Sequence, residues 1–437
     1  MFDNKYLHLV WLMRNERCSR NELEDIQSKK LRSLVRHAYE NVKFYKDLFQ
    51  KSGLHPRHIQ SVDDLGKIPI VDKSDFHRHD YPALLDGRIG SIDRLIPVQT
   101  SGSSGVSLKF YIDRSYNQFR RAQYLRPYLT NGRKLMDRVV RLKNMEIPHK
   151  KWFQYIGLLP EYSIYSDSTL DDQLKMIKKI NPSILQGYGS CFGLLASKIL
   201  EDGISISKPR IVFTDSELLS EPLRRQIEKA FGAEVIDVYG TFETENIAYE
   251  CAKHEGYHIA SDCVIMEFIK DGKKVGPDEE GEIVCTVLDN WTMPFIRYNL
   301  HDAGSYTDKP CSCGRTFPLM KVIAGRTVDY AVCESGHKKS PTTFLGRLVP
   351  LAEFTREYQI IQKEVKLFKV FVVPLREIDP EIERMIKENL WNVFPESTVD
   401  IQWVDKIGRS PSGKFRVFIS EVGEKISGNG NGEDLQP

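Results

Sequence analysis

The chain has 437 residues, 41% of them apolar and 28% charged, a composition of folded globular proteins and a length beyond one hydrophobic core. Its 62 Lys plus Arg against 60 Asp plus Glu leave a formal net charge of +2, which excludes the basic bias of a protein partnered with nucleic acid or an anionic membrane. The 8 cysteines are too sparse for a disulfide scaffold, and the apolar piece from Leu7 to Met13 is too short to span a bilayer and lacks leader features, so a cytoplasmic location is expected.

Leu31, Leu34, Val35, Ala38 and Val42 recur at helical spacing, and Tyr39, Phe44, Tyr45, Leu48 and Phe49 extend the apolar face, so residues 20–50 predict a docking helix. Gly53, Pro56 and Pro69 punctuate the following linker, where Ser61 and Asp72 are placed to cap short helices. His55, His58, His77 and His79 fall in these turns and read as solvated surface residues. Residues 95–111 then read as strand, loop, strand, with Leu95, Ile96 and Val98 before the loop and Leu108, Phe110 and Tyr111 after it. The loop is Thr100, Ser101, Gly102, Ser103, Ser104 and Gly105. Its glycines let successive N–H groups converge and its hydroxyls add donors, which suits phosphate, while a Gly/Ser hairpin turn is the plainer reading. No Gly-Lys-Ser/Thr ends it, so it is not a Walker loop.

A helix is predicted over 113–130 and a strand over 139–142; strand signals at 183–187 and 209–215 follow, with helical periodicity between them at 194–199. The helix 221–231 has Pro222 in its first turn and Gly232 just past its end, and it leads to a strand over 234–238. Alternating strands and helices predict an α/β core that collects ligands at the carboxyl ends of its strands. Residues 263–304 change to short strands joined by turns, which predicts a separate antiparallel subdomain. Residues 357–420 predict a small α+β unit with strands at 358–362, 367–373 and 398–404 and a helix at 379–391.

Five motifs stand in a fixed order: the loop at 100–105, Tyr239-Gly240-Thr241-Phe242-Glu243, the Arg297 to Asp302 stretch, Gly325-Arg326, and Gly413-Lys414. Together they resemble the core motifs of the ANL adenylate-forming superfamily, and residues 31–49 and 63–76 are similar to its phenylacetate-CoA ligase branch, in the subgroup of capsular-polysaccharide clusters. The resemblance implies activation of a small carboxylic acid by ATP as an acyl-adenylate. Thr100, Ser101, Gly102, Ser103, Ser104 and Gly105 would hold the outer phosphates, Glu243 would bind Mg2+, Asp302 the ribose hydroxyls, Arg326 ribose or phosphate, and Lys414 the α-phosphate and substrate carboxylate. Ser216 and Glu217 would approach the adenine with Tyr239, Gly240 and Thr241, and the acid pocket would draw on 186–193 and 213–241. The sequence departs from the family pattern at Phe242, at Val106-Ser107 and at Val328.

Cys251, His254 and His258 with Cys311 and Cys313 form two short groups of residue types that tetrahedral zinc prefers, ordinary buried thiols being the alternative. The resemblance implies a structural Zn2+ on Cys251, His258, Cys311 and Cys313, with His254 as the substitute for His258.

The expected architecture is therefore an α/β protein: a large N-terminal ANL-type domain over 1–325 with mixed sheets and an antiparallel subdomain, a mobile α+β domain over 326–425 carrying Lys414, and a flexible tail over 426–437. The enzyme branch implies CoA as acceptor; the polysaccharide subgroup implies an amine or sugar and amide or ester formation. Gly336 to Pro341 offers cations for CoA phosphates or a solvated turn. A non-catalytic nucleotide-binding scaffold is the reading from another class, and the retention of Glu243, Asp302, Arg326 and Lys414 speaks against it.

Overall fold

The computed structural model describes residues 5–99, 108–142, 154, 157–165, 168–324, 331–334, 338–339, 354–374, 380–408 and 418–422. Three helices open the chain: α1 (Lys5–Asn15), α2 (Arg20–Asn41) and α3 (Lys43–Lys51). Ser19 caps α2 through a reciprocal capping box with Glu22. The docking helix expected over 20–50 is two helices, because Val42 takes an extended conformation (φ −115°, ψ 111°) and turns the chain into α3. Short helices α4 (Lys73–His77, capped by Asp72) and α5 (Tyr81–Leu84) precede the antiparallel pair β1 (Ile96–Gln99) and β2 (Lys109–Ile112). Val98 stands opposite Phe110 in that pair, so the strand, loop, strand reading holds on both sides of residues 100–107.

After α6 (Arg114–Thr130) the parallel strands begin: β3 (Val139–Leu142), β4 (Glu161–Ile164), β5 (Ile184–Gly187), β6 (Ile211–Asp215) and β7 (Glu234–Thr241), in the order β4-β3-β5-β6-β7. Helices α7 (Leu170–Ile180), α8 (Gly189–Glu201) and α9 (Glu221–Phe231) connect them. Because successive strand residues point to opposite faces, each strand feeds two cores. Val139, Ile184, Ile211, Phe213 and Ile236 join the core that includes α2 and α6; Val140, Leu185, Val212 and Val235 pack on Leu174, Ile177, Phe192, Leu195, Ile227 and Phe231 of α7 to α9.

At β7 the sheet changes sense. The chain doubles back into β8 (Glu245–Tyr249) and continues through β9 (Tyr257–Ile259), β10 (Val264–Lys270), β11 (Lys273–Lys274), β12 (Gly281–Val287), β13 (Tyr298–Thr307) and β14 (Leu319–Ala324). All twelve strands β3 to β14 form one sheet, ordered β11-β10-β12-β13-β14-β9-β8-β7-β6-β5-β3-β4. The antiparallel subdomain is thus present but not separate: β8 uses the free edge of β7, an edge that strand patterning within residues 263–304 does not reveal.

Beyond β15 (Ala331–Val332) and β16 (Lys338–Lys339), the strands β17 (Thr355–Glu364), β18 (Leu367–Pro374), β19 (Thr398–Trp403) and β20 (Phe418–Ser420) form a second sheet ordered β19-β18-β17-β20, with helix α10 (Pro380–Trp391). Its core is its own, with Ile360, Phe368, Val370 and Val372 packed on Ile382, Ile386 and Leu390. Gln362 ties β15 to β17: its side-chain oxygen accepts from the Val332 N–H at 2.9 Å and its amide donates to the Val332 carbonyl at 2.7 Å. Among the described residues no helix is long and apolar enough to cross a membrane.

Arg126 of α6 is fully buried and joins the N-terminal helices to the antiparallel strands. Its Nη1 donates to both Asp262 oxygens, at 2.8 and 2.9 Å, and its guanidinium lies over the Tyr249 and Phe317 rings. Asn15 donates to Asp262 at 3.0 Å, which fixes the end of α1 to the same point. A buried pair that loses one partner leaves a desolvated charge, so Arg126→Met is expected to lower unfolding stability by about 3–5 kcal/mol. Denaturant titration checks this, and Arg126→Met with Asp262→Leu is expected to recover part of the loss.

Candidate active site and thiol cluster

The polar ends of β6 and β7 and the first turn of α8 meet at the carboxyl edge of the parallel strands. Ser216 leaves β6 in the left-handed region (φ 69°) and donates to Asp215 at 2.8 Å. The Glu217 carboxylate accepts from the Ser190 N–H at 2.9 Å and its hydroxyl at 3.0 Å, so it satisfies an otherwise orphaned donor at the start of α8. On β7 the Tyr239 hydroxyl donates to Asp302 Oδ2 of β13 at 2.7 Å, which brings two of the predicted nucleotide-binding residues together. Burial, with the Asp302 charge, pushes the Tyr239 phenol well above its ordinary range, so it remains a neutral donor.

The turn from Tyr239 to Glu243 is tight. A Cβ on Gly240 would lie 2.1 Å from the Glu245 carbonyl oxygen, so only glycine fits. Thr244 is buried and its hydroxyl accepts from the Thr241 N–H at 3.2 Å. Gln123 of α6 donates to the carbonyls of Thr244 and Asn246 at 3.0 and 3.1 Å, contacts that sequence reading did not find. The Glu243 carboxylate is half-buried, accepts from the Tyr298 hydroxyl at 3.4 Å, and pairs with no cation among the described residues. A carboxylate oxygen with no cation partner fits a hard divalent cation such as Mg2+. Thr100, Ser101, Gly102, Ser103, Ser104, Gly105, Arg326 and Lys414 lie outside the described residues.

Within the range expected to line an acid pocket, Gln186 is buried beneath α6, where its amide donates to the hydroxyls of Tyr124 and Tyr128. Arg141, its neighbour across β3, lies 5.2 Å from the Tyr124 ring centroid and 3.1 Å from Glu161.

The structure also brings Cys251, His258, Cys311 and Cys313 together, with all four potential ligand atoms within 4.8 Å of one another. A tetrahedral zinc with Zn–S of about 2.3 Å and Zn–N of about 2.1 Å sets its ligands about 3.6–3.8 Å apart. Cys251 and Cys311 sulfurs are 3.6 Å apart, and Cys313 Sγ is 3.4 Å from His258 Nε2. The thiols are free, and the N–H groups of Lys253 and Arg315 point at Cys251 and Cys313 sulfurs at 3.5 Å, support suited to thiolates. Burial and Arg315 push His258 down to about 4, leaving a neutral imidazole. The set fits zinc. His254 is turned away: its ring faces Glu250 and Glu234 at 3.6 and 3.7 Å.

A buried carboxyl on β7 stands near this cluster. Asp237 of β7 accepts from the Thr214 hydroxyl and from the Tyr257 hydroxyl at 2.7 Å, and its own N–H donates to Glu250 at 2.9 Å. Arg224 grips Glu250 with two contacts of 2.7 and 2.8 Å.

A family profile described as the CapK C-terminal domain matches residues 342–421. Protein CapK of Staphylococcus aureus is 22% identical over 418 residues, covering 92% of this chain and 90% of that protein. A phenylacetate-coenzyme A ligase of Thermus thermophilus is 24% identical over 373 residues, covering 79% of each. Among solved structures, a 2-hydroxyisobutyryl-CoA ligase in the postadenylation state with R3-HIB-AMP superposes with a TM-score of 0.78 at 18% identity, over 95% of this chain and 93% of that one. The chain has the ANL adenylate-forming fold and is related to the phenylacetate-CoA ligases and CapK. In that ANL frame, the Tyr239–Asp302 pair and Glu243 stand at the edge where the β6 and β7 tails and the start of α8 converge.

Burial and the adjacent Glu250 charge push the Asp237 carboxyl up to about 8, against the Thr214 and Tyr257 hydrogen bonds. The folded chain therefore keeps a proton that the unfolded chain releases near pH 4. As pH rises from about 4 to about 8 this group progressively withdraws stability, and below that window it withdraws none. Denaturant titrations at pH 5.5 and 8 should show the wild type losing stability relative to Asp237→Asn as pH rises.

Proposed function

We propose that the chain is an AMP-forming carboxylate–CoA ligase of the phenylacetate-CoA ligase type. The observation that carries this is the Tyr239–Asp302 pair beside the unneutralised Glu243, at the carboxyl edge of a sheet whose fold and relatives are those of acid-CoA ligases. In the first step an oxygen of the acid attacks the α-phosphorus of ATP, the bond to the bridging oxygen breaks, and pyrophosphate leaves. In the second, the CoA sulfur attacks the acyl carbon of the adenylate, the thiol proton passes to solvent, and AMP leaves.

Asp302, fixed by Tyr239, accepts from the ribose hydroxyls. Residues 100–105 cradle the outer phosphates with N–H and hydroxyl donors, and Arg326 adds a charged fork to ribose or phosphate. Lys414 neutralises the charge developing at the α-phosphate and aligns the carboxylate. Glu243 holds Mg2+, which supplies charge neutralisation on the phosphates when bound. Ser216 borders the adenine, with the Glu217 cap setting the neighbouring start of α8. Cys251, His258, Cys311 and Cys313 hold a Zn2+; four protein ligands leave no open position, so its role is structural. The domains divide near 325, with Arg326 to Asp329 as the swivel on which the Lys414 unit moves, and the protein acts in the cytoplasm.

A second reading has one observation in its favour. CapK aligns over 92% of this chain, more than the 79% of the phenylacetate-coenzyme A ligase; with the sequence's likeness to the subgroup of capsular-polysaccharide clusters, the acceptor of the second step is alternatively an amine or hydroxyl of a saccharide. Acid-dependent exchange of labelled pyrophosphate into ATP, followed by AMP release with and without CoA, separates the two. Exchange with CoA-stimulated AMP release is expected, first with aryl acids. ATP binding without exchange for any acid would leave the scaffold reading.

Lys414→Ala is expected to lower exchange about 100-fold or more while sparing transfer from preformed acyl-adenylate; equal loss of both steps would count against the role. Purified protein is expected to carry about one zinc per chain by elemental analysis, and Cys311→Ser to lose it together with thermal stability.

A further inference from the structure

Arg120 lies on α6, the helix that follows β2, and is only 8% exposed. Its Nη2 is 2.9 Å from the Phe242 carbonyl oxygen and 2.9 Å from Glu245 Oε2. Its guanidinium carbon lies 6.0 Å from the ring centroid of Phe110 on β2. One buried cation therefore touches both sides of Glu243-Thr244 and also the hairpin whose loop spans 100–107.

That turn needs an external hold. Glu245 sits at φ 62°, uncommon for a side chain other than glycine, and the register of β7 against β8 shifts between Tyr239 and Gly240. The ion pair to Glu245 restrains the strained residue, and the bond to the Phe242 carbonyl restrains the peptide that leads into Glu243. Arg120 does not touch the Glu243 carboxylate in these contacts; it acts on the backbone that aims it.

We infer that Arg120 is a positioning residue for the metal-binding turn, setting the Glu243 carboxylate toward the phosphate-bound cation and tying that turn to the phosphate-loop hairpin. This rests on the reading of Glu243 as the Mg2+ ligand. Outer contacts of this kind govern metal affinity by factors of about 10 to 100.

The test is the free Mg2+ concentration giving half-maximal acid-dependent pyrophosphate exchange at saturating ATP, measured on the full chain with the KM for the acid and the melting temperature. Arg120→Gln is expected to raise the Mg2+ midpoint about tenfold with the acid KM unchanged. Arg120→Lys is expected to stay within about threefold of wild type, because both oxygens are held by the single atom Nη2 and one ammonium can bond both. A purely structural ion pair would lower the melting temperature and leave the midpoint alone, and that result in folded Arg120→Gln would overturn the inference. So would a lysine variant as impaired as the glutamine variant. If Arg120→Gln does not fold, Glu245→Gln loosens the same contact from the other side and must raise the midpoint; an unchanged midpoint there overturns the inference. Glu243→Gln separates the two levels: a wild-type midpoint in that variant removes the metal role of Glu243 and this inference with it, whereas a shifted Glu243→Gln beside an unshifted Arg120→Gln removes only the inference.

Discussion

The close approach of Gly240 to the Glu245 carbonyl is the constraint on which the rest depends. A Cβ at that position would be 2.1 Å from the oxygen, so the strand can double back there only without a side chain. The reversal converts a parallel sheet into an antiparallel one at β7 and β8, and every later strand to β14 inherits its place from it. The same reversal puts Glu243 at the tip of a turn at the carboxyl edge of the parallel strands, where α/β sheets take their ligands. Architecture and candidate chemistry therefore share one steric requirement.

Two buried systems brace the strands on either side of that turn. Arg126, Asp262 and Asn15 lock α1 and α6 to the antiparallel half, while Asp237, Glu250 and Arg224 link β7 to β8 and α9. Asp237 accepts from Tyr257, the residue before His258, so one hydrogen bond joins β7 to the segment that carries the thiol cluster's histidine. Burial opposes the negative charge of Glu250, yet His254, Arg224 and the Asp237 N–H hold it ionised, and the proton stays on Asp237. A buried, hydrogen-bonded frame of this kind suits a site in which fixed donors, rather than mobile water, must meet charge on phosphates.

Local features were legible where local physics decides them. Pro222 and Gly232 bracket α9 as expected, with Gly232 in the left-handed region at φ 59°, and the strands at 139–142 and 234–238 fall where their apolar runs put them. Features set by distant partners were not. Whether His254 or His258 joins the cysteines is decided by Glu234 and Glu250, which draw His254 away. The bonds from Arg120 and Gln123 to the Glu243 turn cross more than a hundred residues and leave no periodic trace. Gln186 read as part of a stretch lining an acid pocket, but its two tyrosine partners come from a helix some sixty residues earlier. The motif order pointed to the chemistry, and the packing around Tyr239 to Glu243 and Asp302 had to be seen.

Of the residues proposed for adenylation, Glu243 stands at the turn between β7 and β8 and Asp302 on β13 of the same sheet, with α6 packed against that turn. The unit with its own core, β17 to β20 with α10, is the part matched by the CapK C-terminal profile. A core of its own lets such a unit shift as a body without unpacking the large sheet. A chain can then keep one way of activating a carboxylate and change what receives it, which is why the acid and the acceptor have to be established by separate measurements.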